Sequence, residues 1–200
     1  MTNNSKTLLF LTTADTEILA TARATELLPE GFPEVRCANP TKLEDTRAFF
    51  EETLPEAGAV MVRLLGGQRA WPEGFEELRR RCGELEIPLL AFGGETEPDA
   101  ELTALSTAPS GTVAEAFEYL RHGGVGNTAN LLRFVADTIL IEGYGFEPPL
   151  ALPELGKNEA LAYAFVEYAN AGDGVRTRLD SGAFPATTPE EPLGQVTVYL

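Results

Sequence analysis

The chain has 200 residues, 44% apolar and 23% charged, a globular composition with material for one full domain and a further element. Its 15 basic and 31 acidic residues leave a net charge of −16, which argues against a nucleic acid or an anionic membrane as partner. No apolar run approaches the roughly 20 residues that span a bilayer, and the opening Met1–Lys6 lacks the n-region and cleavage pattern of a signal peptide, so a cytoplasmic location is expected.

Thr7 to Leu11 (TLLFL) reads as a short buried strand closed by Thr12-Thr13-Ala14-Asp15. A helix to about Leu28 is expected next, with Asp15 as N-cap and Ile18, Leu19, Ala22 and Leu27 on one face. Pro29, Gly31 and Pro33 break it, and Glu34 to Ala38 is a second strand near a sheet edge. Thr41-Lys42-Leu43-Glu44 has the pattern of a capping box for a helix that turns Leu43, Phe50 and Leu54 inward. Ala59 to Leu65 (AVMVRLL) is an apolar, β-branched run, the signature of a strand buried on both faces. Arg63 interrupts it near the carboxyl end. A buried guanidinium is costly, so Arg63 must reach the rim or meet an acid or anion there. Gly66-Gly67 ends the strand, followed by Arg69 and Trp71.

The helix near Glu73 to Gly83 places Phe75, Leu78 and Cys82 at helical spacing, with Glu76–Arg80 and Glu77–Arg81 paired outside. Pro88 to Phe92 (PLLAF) is the fourth strand, ending at Gly93-Gly94-Glu95, and Pro98 suits the first turn of a short helix with Asp99 and Glu101. Strand and helix alternate throughout, which predicts a parallel sheet covered by helices. The ends Thr12–Asp15, Arg63–Gly67 and Phe92–Glu95 then share the edge where such sheets bind ligands.

After Ser106 the alternation stops. Thr112-x-x-Glu115 reads as a capping box for a helix carrying Val113, Phe117 and Leu120, stopped at His122-Gly123-Gly124. A helix over Asn127 to Glu142 follows, with Leu131, Leu132, Val135 and Ile139 inward, and Gly143–Pro149 (GYGFEPP) is a turn-rich exit. The expected division is an α/β head domain over 1–149, a helix (Asn158 to Asn170) and irregular linker within 150–194, and the first strand of a following domain at 195–200. A chain that stops inside a strand reads as the front of a longer protein. Cys37 in a strand and Cys82 on a helix, without C-x-x-C, read as buried free thiols, against the alternatives of a disulfide or metal ligands.

Five segments in order, LTTADTE (11–17), VRLLGGQRAW (62–71), FGGETEPDAELTALST (92–107), YLRHGGVGNTANLLRF (119–134) and GYGFEPP (143–149), resemble one family. They are similar to the amino-terminal region of the large subunit of aerobic cobaltochelatase, the CobN family, related to the large H subunit of magnesium chelatase. The resemblance covers roughly residues 7 to 156; residues 157 to 192 depart from the family pattern. It implies a subunit several times longer that binds a corrin-type tetrapyrrole, hydrogenobyrinic acid a,c-diamide, and inserts cobalt on the way to cobalamin. It also implies partner AAA+ ATPase subunits that hydrolyse ATP. Cobalt and ATP then belong to the assembled complex, no cofactor is expected on this chain, and the chain alone is expected to be inactive.

With that substrate in view, Arg63, Gly66, Gly67, Arg69, Trp71 and Glu95 are the candidate substrate-binding residues. Arginine forks suit the carboxylates that fringe the macrocycle, and an indole suits its flat ring. The competing structural reading pairs a buried Arg63 with an acid such as Glu95, uses Trp71 to pin a loop to the core, and leaves the Gly-Gly pairs as tight turns. Glu95 and Asp99 could hold a cation or be solvated helix-start acids. His122 is the only histidine and suits a helix C-terminus better than a metal site. No catalytic residue and no metal ligand is assigned.

A rival reading starts from Thr12–Glu17, which is similar to the phosphate loop of flavodoxins. Alanine stands where those loops have glycine, and Asp15 lies where an FMN phosphate needs positive potential. The fold expected is a flavodoxin-like, three-layer parallel α/β domain with appended helices, with FMN binding or ATPase docking as the alternative functions. No nucleophile elbow, P-loop or H-E-x-x-H motif supports another enzyme class.

Overall fold

A computed structural model describes residues 7–151 and 196–199 of the chain. The helix expected at Asn158–Asn170 and the linker at Asp173–Pro192 lie outside the described residues.

Four strands alternate with helices: β1 (Thr7–Thr12), α1 (Asp15–Thr25), β2 (Val35–Ala38), α2 (Thr46–Thr53), β3 (Ala57–Leu64), α3 (Pro72–Glu84), β4 (Leu89–Gly93) and α4 (Ala100–Leu105). Two more helices follow, α5 (Ser110–His122) and α6 (Val125–Val135), the latter prolonged by a π turn over Ala136–Leu140. The last described strand, β5 (Val196–Tyr199), lies parallel beside β2, so the sheet order is β4-β3-β1-β2-β5. Every pairing is parallel. The expected parallel α/β architecture is present, and the run β2-β1-β3-β4 has the flavodoxin-like order, which reverses direction between β1 and β3.

The alternation of side chains along each strand builds two cores. Leu8 and Phe10 of β1, with Ala59 and Met61 of β3, face α1, α5 and α6. Leu9 and Leu11, with Val60, Val62 and Leu64, face α2, α3 and α4. Burying one such leucine or phenylalanine contributes roughly 1.5–3 kcal/mol, so a sheet covered on both faces is strongly held in register.

Several helix details depart from the sequence reading. In α1 the buried face is Ile18, Thr21 and Ala24, whereas Leu19 and Leu27 are 48% and 52% exposed. The helix stops at Thr25, and its N-cap is Ala14, because the Asp15 carboxylate reaches sideways to Asn39 and Lys42. No capping box forms at Thr41–Glu44. Asn39 instead caps a 3-10 turn over Pro40–Lys42, and Asp45 caps α2 by accepting from the Ala48 amide. On α3 the partner of Glu76 is Arg79, while Glu77 holds both Arg80 and Arg81. Pro98 precedes α4, and Asp99 caps it. Ser110, ahead of the expected Thr112, begins α5, and Val125 begins α6.

Candidate functional site

At the carboxyl edge, Thr12, Arg63 and Phe92 are neighbours across β1, β3 and β4. Arg63 has the same parity as Ala59 and Met61, which turns its side chain toward α1 and α5. There its Nε–H donates to the Gly93 carbonyl at 3.2 Å, and Nη1 donates to the Leu120 carbonyl at 3.2 Å and to the Glu17 carboxylate. Glu17 also accepts from the Thr12 hydroxyl at 2.6 Å. Arg63 is 9% exposed, so its charge is met by an internal acid. The acid is Glu17; Glu95 is exposed on the following loop.

The ion pair fills the point where strand order reverses, the place at which a doubly wound sheet accepts a ligand. The first two hydroxyls of the phosphate-loop segment, Thr12 and Thr13, are occupied as well. The Ala14 amide donates to Thr12 Oγ1 at 3.1 Å and the Leu65 amide to Thr13 Oγ1 at 2.9 Å. Lys42 and Asn39 hold the Asp15 carboxyl below the usual carboxylate range, so a negative charge stays fixed where FMN phosphate would sit. This geometry disfavours the flavin reading.

Gly66 and Gly67 have φ of +94° and +70°, as the tight-turn reading requires. Across from them a Cβ on Gly94 would lie 2.7 Å from Leu65 Cα. The two Gly-Gly turns therefore close against the neighbouring strand end. The turn carries the chain into a 3-10 segment, Gly67–Ala70, that presents Arg69 to solvent. Among the described residues Arg69 has no ion-pair or hydrogen-bond partner, in a chain with twice as many acids as bases.

Trp71 is half-buried. Its ring meets Phe50 edge-on, with centroids 6.0 Å apart and an interplanar angle of 66°. The indole also lies against Gly74, where a Cβ would fall 2.1 Å from the ring. Beside it an open pocket of about 570 Å³ runs between the β2–α2 connection (Pro40, Thr41, Leu43) with the first turn of α2 (Thr46, Arg47) and the start of α3. Its size is that of a small-ligand pocket. Of this lining the sequence reading singled out Trp71 as a site residue, and it took the opposite wall, Thr41 and Leu43, only as the start of a helix.

The remaining candidates do not join this pocket. Asp99 caps α4, accepting from the Leu102 amide at 3.0 Å. His122 ends α5, 3.9 Å from Glu118. No cluster of three or more His, Cys, Asp or Glu suited to a metal occurs among the described residues. Cys37 and Cys82 are free and buried, and burial pushes both thiols up to about 12, so neither is a thiolate near neutral pH.

No protein-family model matches the chain. The aerobic cobaltochelatase subunit CobN of Pseudomonas aeruginosa is 33% identical over 153 residues, a stretch covering 74% of this chain. The solved catalytic subunit of cobaltochelatase from Mycobacterium tuberculosis superposes with a TM-score of 0.62 at 40% identity, again over 74% of this chain. The chain belongs to the CobN family. It corresponds to the amino-terminal region of CobN, as the five segments implied. It spans 12% of the length of each of these two relatives. Both relatives are named as cobaltochelatase subunits, and the solved one shares this chain's fold over the superposed part.

Proposed function

We propose that this chain is the head of an ATP-dependent cobalt chelatase, a ligase forming nitrogen–metal bonds, that inserts cobalt into hydrogenobyrinic acid a,c-diamide. The observation that carries the reading is the relationship to two cobaltochelatase subunits at 33% and 40% identity. In the assembled enzyme the corrin ring gives up its inner N–H hydrogen as a proton when Co²⁺ binds the ring nitrogens. AAA+ ATPase partners drive the remodelling around that step. The complex works in the cytoplasm; no helix among the described residues is long and apolar enough to cross a membrane. No bound cofactor is assigned to this chain.

Within the head, the rim at Arg69 and Trp71 is the surface that meets the corrinoid. Arg69 offers an uncommitted fork to a peripheral carboxylate, and the indole, fixed by Phe50 and Gly74, offers a rigid apolar edge. Gly66 and Gly67 place that rim, and Glu95 stands exposed on the loop after β4. Arg63 serves the reading only indirectly, by holding the strand ends together. The filled switch point favours a second reading, a docking domain for the ATPase partners with no corrinoid contact.

Absorbance titration of the folded chain with hydrogenobyrinic acid a,c-diamide separates the two. The first reading expects saturable binding, weakened at least tenfold in both Arg69→Ala and Trp71→Phe. Circular dichroism confirms that the variants are folded. No saturable binding by the wild-type chain would leave the docking reading, tested by pull-down of the ATPase subunits. Binding unaffected by either substitution would move the contact off this rim.

A further inference from the structure

Two of the five segments that mark the family hold each other in space. Residues 143–150 follow the π turn as a strap on α5 and α6, and five of its six backbone N–H groups, with the carbonyls of Glu147 and Leu150, meet side chains from 119–137. Asp137 accepts from the amides of Gly143 (2.8 Å), Tyr144 (2.7 Å) and Gly145 (2.7 Å). Asn130 accepts from the Glu147 amide at 3.1 Å, and the Tyr119 hydroxyl donates to the Glu147 carbonyl at 2.7 Å. The Asn127 amide group mimics a backbone partner. Its oxygen accepts from Leu150 N–H at 2.9 Å and its nitrogen donates to Leu150 C=O at 2.8 Å.

Apolar anchoring is slight by comparison. Phe146 stands edge-on to Phe134 at 5.1 Å yet is 37% exposed, and Tyr144 meets Phe32 at 4.8 Å. Leu150 is 70% exposed. At the head of the strap Ile141 is 79% exposed and left-handed, with φ of +62°. A β-branched residue is disfavoured there, so the closed arrangement bends the chain against its preference.

We propose that residues 143–150 are a latch that opens and closes as one unit on α5, α6 and the Gly31–Phe32 turn, where the Tyr144 hydroxyl donates to the Gly31 carbonyl at 2.8 Å, with Ile141 as its hinge. A segment held by a row of side-chain hydrogen bonds and two partly exposed rings detaches at lower cost than a strand of the double core. One carboxylate gathers three successive amides, so losing it frees the first turn of the strap at once. Opening exposes Tyr119, Asn127 and Phe134 and relaxes Ile141, while the sheet keeps its register. A ligand or partner that engages the outer side of the strap, or tension on the chain beyond Ala151, acts directly on this two-state element. The inference is independent of the corrinoid reading and concerns a different face of the fold.

Amide exchange followed by NMR at single-residue resolution tests it on the full chain. The Gly143, Tyr144, Gly145, Glu147 and Leu150 amides are expected to share one opening rate, at least tenfold faster than the amides of β1 and β3. Asp137→Asn should speed exchange at Glu147 and Leu150, which Asp137 does not touch, by tenfold or more. Tyr119→Phe should do the same at Gly143–Gly145. Acceleration confined to the amides bonded directly to the altered side chain would make the contacts separate pins and overturn the latch. If a variant fails to fold, the wild-type rates decide alone: five unrelated rates, or rates as slow as those of β1, overturn it.

Discussion

Every acceptor that the Arg63 guanidinium meets belongs to this chain: the Glu17 carboxylate and the Gly93 and Leu120 carbonyls. Removing the side chain leaves Glu17 largely buried without its counter-charge and two carbonyls without a donor. Breaking a buried pair in this way costs about 3–5 kcal/mol. Arg63→Ala should therefore lower urea stability by that amount, whereas Arg69→Ala, at an exposed site without partners, should stay within about 0.5 kcal/mol. A loss below about 1 kcal/mol in Arg63→Ala would show that the pair is dispensable to the fold. The need for a partner was legible in the sequence, because an arginine inside an apolar strand must be neutralised. Its identity was not. Glu17 and Glu95 both follow strand ends, and only the parity of Arg63 on β3 and the first turn of α1 select between them.

At the scale of elements, α3 shows what apolar spacing settles and what it leaves open. Phe75, Leu78 and Cys82 are all fully buried, as their spacing required, because one face of a helix has one place to go. Glu77–Arg81 pairs as expected but Glu76 takes Arg79 in place of Arg80, since i,i+3 and i,i+4 partners are nearly equivalent on an exposed face. The capping box at Thr41 failed for a related reason: Asn39 and Asp45 are better-placed caps, and pattern alone does not rank them. The same helix offers a test of the Trp71 seat. Gly83→Ala, with nothing within 4 Å of the added methyl, should stabilise by roughly 0.5 kcal/mol through helix propensity. Gly74→Ala adds the same methyl 2.1 Å from the indole. Overpacking of about 1–3 kcal/mol then outweighs the propensity gain, and the emission of the only tryptophan should shift. Equal stabilisation by both substitutions would mean that Trp71 is not held on Gly74.

Across the whole molecule the strand–helix alternation was legible because a sheet buried on both faces writes long apolar runs. The strap left no comparable sign, since bonds from side chains to an extended backbone have no period. Charge is the remaining global property, and its effect on stability turns on distance. A net charge of −16 gives long-range repulsion, while the ion pairs of α3 act at contact, near 2.5–2.7 Å. Raising the ionic strength from about 0.01 to 0.15 M shortens the screening length from roughly 30 to 8 Å. A compact unit of about 150 residues has a radius of gyration near 15 Å, so this change removes most of the repulsion across it. Contacts shorter than the screening length survive. Added sodium chloride over that range should therefore raise the thermal midpoint at neutral pH. A falling midpoint would mean that the surface pairs outweigh the repulsion, and an equal rise in a variant with Glu76, Glu77 and Glu84 changed to glutamine would assign the repulsion to acids elsewhere in the chain.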